Sequence, residues 1–323
     1  MHVGVMIGSS SRGGPATLDD LVGEVRNLAT SGFSTAWSSQ LFDWDALTML
    51  AVIGSQVPGI NLGTAVVPTY PRHPLMLASQ ALTVQAATQN RLTLGIGLSH
   101  QIVIESMFGY SFDKPARHMR EYLSALMPLL RGEAVSYKGE TLTATGTVSV
   151  PGSATPEVLV AALGPVMLRL TAELTDGTVT WMTGPATLGD HIVPTITSAA
   201  AAAGRADPRV VAGLPVCVTS DAAAGRERAA KTFAIYGQLP SYRAMLDREG
   251  AAGPADVAII GSETEVRKGV QRMAEAGATE LVAAPFGSSD EIAATVALLA
   301  SLVKDGAVGA VRGGPGGSIG LDG

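Results

Sequence analysis

Short apolar runs recur along this chain, each closed by glycine, proline or a polar cluster and each followed by a stretch with helical spacing. Residues 2–8, HVGVMIG, predict a first strand, and a Gly/Ser-rich loop follows at residues 9–14. Leu18, Leu21, Val22, Val25, Leu28 and Ala29 then fall at three- and four-residue steps, which predicts an amphipathic helix. Asp19 and Asp20 suit its first turn and Gly32 its end. Residues 34–40 predict strand two and 46–56 its helix. In residues 61–74, NLGTAVVPTYPRHP, a third strand is stopped by Pro68, and three prolines set an extended exit before a helix at 75–89. Residues 91–99, RLTLGIGLS, alternate and then turn glycine-rich, as a fourth strand does where something approaches its backbone. Residues 100–110 carry no clear signal, whereas 115–132 predict a helix. The β-branched stretch 135–150, with a turn at Lys138-Gly139, reads as an inserted hairpin. Residues 158–164, 178–184, 209–219 and 280–287 complete the strands. Helices are predicted after Pro165, through the alanine run 198–203, over 222–249 with a break near Pro240, before residue 270, and over 290–303 with Ile292, Thr295, Val296 and Leu299 on one face. Strands that are apolar throughout mark a parallel sheet covered on both faces. Eight of them, each with a helix, predict an α/β chain folded as a (β/α)₈ TIM barrel with a small hairpin after the fourth unit. Residues 1–306 make one domain, and the polar, glycine-rich residues 307–323 are expected to form a mobile tail.

Composition removes several function classes. Hydrophobic residues make up 46% against 15% charged, enough for one large core, while aromatics at 5% leave Ala, Val, Leu and Ile to do the packing. A net charge of −6 leaves no basic surface for nucleic acid. The single cysteine, Cys217, excludes an internal disulfide framework and agrees with a reducing compartment. The first residues, MHVGVMIGSS, lack a basic segment and a long apolar run, so no signal peptide is expected. No stretch supplies the roughly 20 uninterrupted apolar residues of a membrane span. The expectation is a soluble cytoplasmic protein that acts on a small molecule, with neither nucleic acid nor membrane as partner.

Familiar catalytic constellations are missing. His2, His73, His100, His118 and His191 are scattered, without metal-ligand spacing. Cys217, inside VCVT, reads as a core residue rather than a nucleophile. GLSHQ lacks the second glycine of a nucleophile elbow, and GIGLSH lacks the last glycine of a dinucleotide fingerprint. What remains is the pattern at the strand ends, where a barrel forms its mouth. There stand Ser38, Ser39 and Gln40, then Thr64 to Val66, Ser99 and His100, Leu163 and Gly164, and Met182 and Thr183. With Trp44, Tyr70 and Trp181 near the rim, such a mouth suits a flat conjugated ligand. Packing under loops explains each aromatic equally well. Leu163-Gly164-Pro165, a strand end opening a helix, reads either as a phosphate cradle or as plain turn chemistry.

Taken together, GTAVVPTYPRHP, RLTLGIGLSH, the SYKGE hairpin, VLVAALGP and DGTVTWMTGP resemble the bacterial luciferase-like superfamily, and within it the branch that uses the deazaflavin coenzyme F420. The resemblance runs in order through about residue 287. It implies a barrel whose third strand carries a bulge with a non-proline cis peptide behind the coenzyme's central ring, which falls at Ala65–Val66 here. It also implies that Ser39 and Gln40 flank the ring with Thr64. Leu98, Ser99 and His100 would touch the ring or its ribityl chain, and Leu163, Gly164, Met182 and Thr183 would receive the phosphate and tail. Phe42, Trp44 and Trp181 would line the substrate pocket. His100 is the first candidate for proton transfer, with Gln40 as a hydrogen-bond donor and Tyr70 as the fallback. The branch's sugar-phosphate dehydrogenases carry a histidine and a glutamate where Gln40 and His100 stand, and a lysine near Pro185, so their substrate is not expected here. FMN, in a monooxygenase of the same superfamily, is the alternative cofactor, and a non-catalytic F420-binding barrel the alternative role. The resemblance further implies a homodimer, with Leu47, Leu50 and Ala51 and Leu77, Ala81 and Leu82 as compatible helix faces.

Overall fold

Successive apolar strands pair with one another in parallel, and the last returns to the first, so the sheet closes. The computed structural model describes residues 1–8 and 16–306; the Gly/Ser-rich loop and the tail 307–323 expected from the sequence lie outside the described residues. The strands in chain order are β1 (His2–Met6), β2 (Thr35–Ser38), β3 (Asn61–Thr64), β4 (Val67–Pro68), β5 (Leu92–Gly97), β6 (Val135–Lys138), β7 (Thr143–Gly146), β8 (Glu157–Val160), β9 (Gly177–Trp181), β10 (Arg209–Val218), β11 (Ile259–Gly261) and β12 (Glu280–Pro285). The ring runs β12-β1-β2-β3-β5-β8-β9-β10 and closes where β10 pairs with β12. This is the (β/α)₈ barrel expected from the sequence. The hairpin β6–β7 is also present, antiparallel and outside the ring. Its turn falls at Glu140-Thr141 rather than at Lys138-Gly139, since Gly139 N–H donates to Leu142 O at 2.9 Å. The Glu121 carboxylate fixes that turn by accepting from the backbone N–H of Glu140 (3.0 Å) and of Thr141 (2.7 Å).

The third stave is interrupted. β3 meets β5 through Gly63 opposite Thr93, and β4 meets it through Val67 opposite Ile96. Four steps on one stave thus span three on its neighbour, so the third stave carries one extra residue, a bulge. Within it the Ala65–Val66 peptide bond is cis, as the resemblance implies.

The break expected near Pro240 is present, and two short elements went unread. The helix Ala222–Thr232 gives way to a 3-10 turn, Ala234–Gly237, and Pro240 opens the next helix, Pro240–Glu249, at the position where its missing N–H costs nothing. The strand β11, paired to β10 through Cys217 opposite Ile260, went unread because only three residues of it are extended. Residues 100–110, without signal in the sequence, form a short helix, Gln101–Ser106.

Packing is layered. Between strands and helices sits the large apolar core, built mainly of Leu, Val, Ile and Ala. A second cluster, including Met6, Trp37, Val179, Val211 and Val282, fills the barrel interior. Trp37 is wholly buried there, beside Gly63, where a Cβ would come within 2.3 Å of the indole. Its Nε1 donates to Glu280 Oε1 at 2.8 Å, and Arg209 Nη2 donates to Glu280 Oε2 at 2.9 Å. Arg209 also pairs with Glu157 and reaches Thr93 Oγ1 at 3.3 Å, so this polar clamp ties β2, β5, β8, β10 and β12 together at the closed end of the barrel. The faces expected to form a dimer are spent differently: Leu47, Leu50, Leu77, Ala81 and Leu82 are buried within this chain, and Ala51 is half-buried. They pack the helices onto the barrel. Among the described residues no helix is long and apolar enough to cross a membrane.

Candidate active site

With its amino end closed by Trp37 and the Arg209 clamp, the barrel opens at the carboxyl ends of its strands. A cavity of about 1490 Å³ occupies that end. Its floor is apolar, lined by Met6, Val66, Ala161, Val179, Val282 and Ala284 from the inner faces of the staves. The bulge of the third stave reaches this floor through Ala65 and Val66.

Local chemistry holds that bulge in place. The Ser39 hydroxyl donates to the Ala65 carbonyl at 2.7 Å, and the Gln40 backbone N–H donates to the Val66 carbonyl at 3.3 Å. From the other side, Thr64 Oγ1 donates to Gly95 O (2.7 Å) and accepts from Gly95 N (2.8 Å). Gly95 and Gly97 explain the glycine-rich end of the fourth strand. A Cβ on Gly95 would lie 1.9 Å from the Thr64 carbonyl oxygen, and one on Gly97 would lie 2.8 Å from Val66 Cγ2. The close approach inferred from the sequence is therefore that of the bulged stave itself. Beyond β5 the chain turns at Ser99, whose φ of 60° is rare for a residue with a side chain. His100 follows at the start of its short helix.

Of the residues singled out in the sequence, Ser39, Gln40, Phe42, Ala65, Val66, Leu98, Ser99, His100, Leu163, Gly164 and Trp181 line the cavity. Thr64, Tyr70, Trp44, Met182 and Thr183 do not. Thr64 faces β5 and serves as the clip just described. Tyr70 lies behind the wall, stacked on His118 with ring centroids 4.0 Å apart and on Phe112 at 5.4 Å. Burial, with Asp113 and Glu105 nearby, pushes its phenol up to about 12. Trp44 stands exposed on the loop after β2, while Met182 and Thr183 turn into the core just past the end of β9. Gln40 lines the cavity, but its side chain is engaged: Oε1 accepts from Ala46 N (2.9 Å) and Arg72 Nη2 (3.3 Å), and Nε2 donates to Leu41 O (3.0 Å). Cys217 is buried, and burial, with Glu291 nearby, raises its thiol to about 11, which fits a core residue.

Two features point to a ligand. Gly164 opens the ten-residue helix Pro165–Leu174 without any side-chain cap, and nothing lies within 4 Å of where its Cβ would be. Free N–H groups at such a helix start favour an anion. Thr180 Oγ1, on the cavity wall, is buried and has no hydrogen-bond partner among the described residues. His100 is held below its ordinary imidazole range by burial, so its ring is neutral at pH 7.

Sequence reasoning missed one wall. Phe233, Tyr236 and Tyr242, from the excursion after β10, line the cavity, as do Phe108 and Phe112. Trp181 meets Tyr236 edge-on at 5.9 Å, Tyr236 meets Tyr242 at 5.2 Å, and Tyr242 meets His100 at 5.6 Å. A usable signal existed: the chain has only six Phe, six Tyr and three Trp, and seven of them gather here.

The chain belongs to the luciferase-like monooxygenase family, whose model matches residues 1–305. Among its relatives are oxidoreductases. The chain is 29% identical over 238 residues to the 5,10-methylenetetrahydromethanopterin reductase of Archaeoglobus fulgidus, covering 72% of this chain and 70% of that one. It is 27% identical over 253 residues to a putative coenzyme F420-dependent oxidoreductase of Mycobacterium tuberculosis, covering 73% and 72%. The coenzyme F420-dependent tetrahydromethanopterin reductase of Methanopyrus kandleri superposes with a TM-score of 0.75 over 93% of this chain and 96% of that one, at 20% identity.

Proposed function

We propose that this chain is an F420-dependent oxidoreductase that transfers a hydride between deazaflavin C5 and a small organic substrate: an imine, enone, carbonyl or alcohol. The observation that carries the reading is one cavity that joins an apolar floor at the Ala65–Val66 bulge to an uncapped helix start at Gly164. The two ends match the two halves of such a coenzyme. A flat ring suits Val66, Ala161 and Val179, and a phosphate suits the free N–H groups after Gly164. Thr180 Oγ1, unpartnered among the described residues, offers one hydrogen bond from the cavity wall. When bound, the reduced deazaflavin supplies a hydride to an electrophilic carbon.

The protein contributes placement and a dry pocket. Ser39 fixes the carbonyl of Ala65, and through it the surface on which a ring rests. The aromatic wall from Trp181 to His100 excludes water from the side facing the excursion after β10. A neutral His100 is a weak acid at pH 7, so its fitting role is to accept the hydroxyl proton of an alcohol or to donate an N–H bond to a carbonyl oxygen. Gln40 acts on the bulge and on Arg72 rather than on substrate.

Titration of the purified protein with F420 and with FMN, read by fluorescence, tests the reading, followed by turnover of reduced F420 with a panel of imines, enones and ketones. Saturable F420 binding with turnover is expected. Binding of FMN alone, with oxygen uptake, would replace the reading with that of a flavin monooxygenase. Tight F420 binding without turnover would leave a carrier.

A further inference from the structure

The mouth of this cavity is apolar to a degree that the rest of the surface is not. Leu41, Phe42, Ile102, Phe108 and Ile235 are 50%, 66%, 65%, 39% and 56% exposed. These are five of the ten large apolar side chains that stand exposed among the described residues, and all five line the one cavity. They come from three separate segments: the loop after β2, the Gln101–Ser106 helix with the turn beyond it, and the 3-10 turn Ala234–Gly237. The last of these belongs to the excursion that spans the mouth, since Tyr242 further along it reaches the His100 ring. The Phe42 and Phe108 rings stand 6.2 Å apart and tilted by 31°, and each keeps a face in water. Charge is not offered in their place. The Arg72 guanidinium, the sole Lys or Arg on the cavity wall among the described residues, is taken by Asp45 and Gln40, while Asp43 and Glu105 sit at the rim as carboxylates.

Apolar side chains held in water by three independent segments around one opening gain free energy only when something apolar covers them. We infer that the outer part of the cavity is a subsite for a bulky apolar group of an uncharged substrate, seated between Phe42, Ile102 and Phe108 on one side and Ile235 on the other. This deepens the oxidoreductase reading by naming the substrate class, and rests on that reading only for what happens at the reacting end. The subsite selects by the body of the substrate, and the floor acts on its carbonyl.

The test compares acetone with 4-phenylbutan-2-one, which share a methyl ketone and differ in an apolar body, by ligand-observed NMR on the full chain with and without F420. The phenyl ketone is expected to bind at least about tenfold more tightly, the scale of burying one aromatic ring. A Phe42→Ala/Phe108→Ala variant should lose most of that preference while its thermal melt stays unchanged. Ile102→Ser, on the short helix at the same mouth, repeats the test should the double variant fail to fold. Equal affinity for the two ketones, or a preference that survives both variants, would overturn the inference. So would sedimentation showing a homodimer that the double variant dissociates without altering ketone preference, since the rim would then be a subunit contact. A chain that keeps the ketone preference but never binds F420 would sink the cofactor reading and leave the subsite standing. F420 binding without the preference would do the reverse.

Discussion

Gly95 shows how far a single side chain can decide this site. Its Cβ position is filled by the Thr64 carbonyl oxygen, 1.9 Å away, because the bulged third stave leans onto the fourth. A Gly95→Ala variant must therefore push the bulge away. It is expected to lower the unfolding free energy by about 3 kcal/mol in urea titrations, at the upper end of what overpacking costs, and to weaken F420 binding. Leucine or valine positions on the helices would not show this pairing of effects. His118 makes a second prediction at the same scale. Burial holds its ring down to about 4, partly offset by the Glu121 carboxylate, against about 6.5 in an unfolded chain. The unfolded state thus binds the extra proton first as pH falls. The stability that comes from a neutral His118 is complete above pH 6.5 and is lost as pH drops towards 4. The urea midpoint should fall across that window in the native chain and fall less in His118→Asn, with the two curves parallel above pH 7.

Among the elements, the clamp at the closed end joins five staves through one guanidinium. Arg209 bonds Glu280, which is 2% exposed and also receives the Trp37 indole N–H. An Arg209→Met variant leaves a buried carboxylate with only the indole for company. The expected loss is about 3–5 kcal/mol, the range for removing one partner of a buried ion pair, measurable as a lower denaturant midpoint. Ligand binding at the far end should change little once the chain is folded. The long helices were readable because their apolar spacing serves only local geometry: in the helix Leu18–Ser31, Leu21, Val22, Val25 and Leu28 are all buried, as the spacing predicts. In the final helix Thr295 and Leu299 are buried as the spacing predicts, with Ile292 and Val296 half-buried beside them. Leu298 and Leu302 widen that stripe, because the barrel wall covers more of the helix than the four-residue pattern marks. β11 and the helix Gln101–Ser106 were illegible for another reason. Elements of three and six residues carry too few positions for any period to appear.

For the molecule as a whole, a ligand that binds only the folded barrel must raise its melting temperature. F420 at a hundredfold excess over its dissociation constant should add about 2.7 kcal/mol, seen as a melt a few degrees higher, with no comparable shift from FMN. The barrel itself was written in eight apolar runs and their helices, because a strand covered on both faces has nowhere to put a polar residue. The position of the bulge followed from the family resemblance alone, while the glycines of the neighbouring strand showed only that something approaches its backbone. What the linear order could not carry was the identity of neighbours far apart along the chain. Thr64 turned out to be a clip on Gly95, Tyr70 a stacking partner of His118, and Tyr236 and Tyr242 a wall against His100. Each of those roles depends on which side chain another segment brings within a few ångströms, and only the closing of the ring decides that.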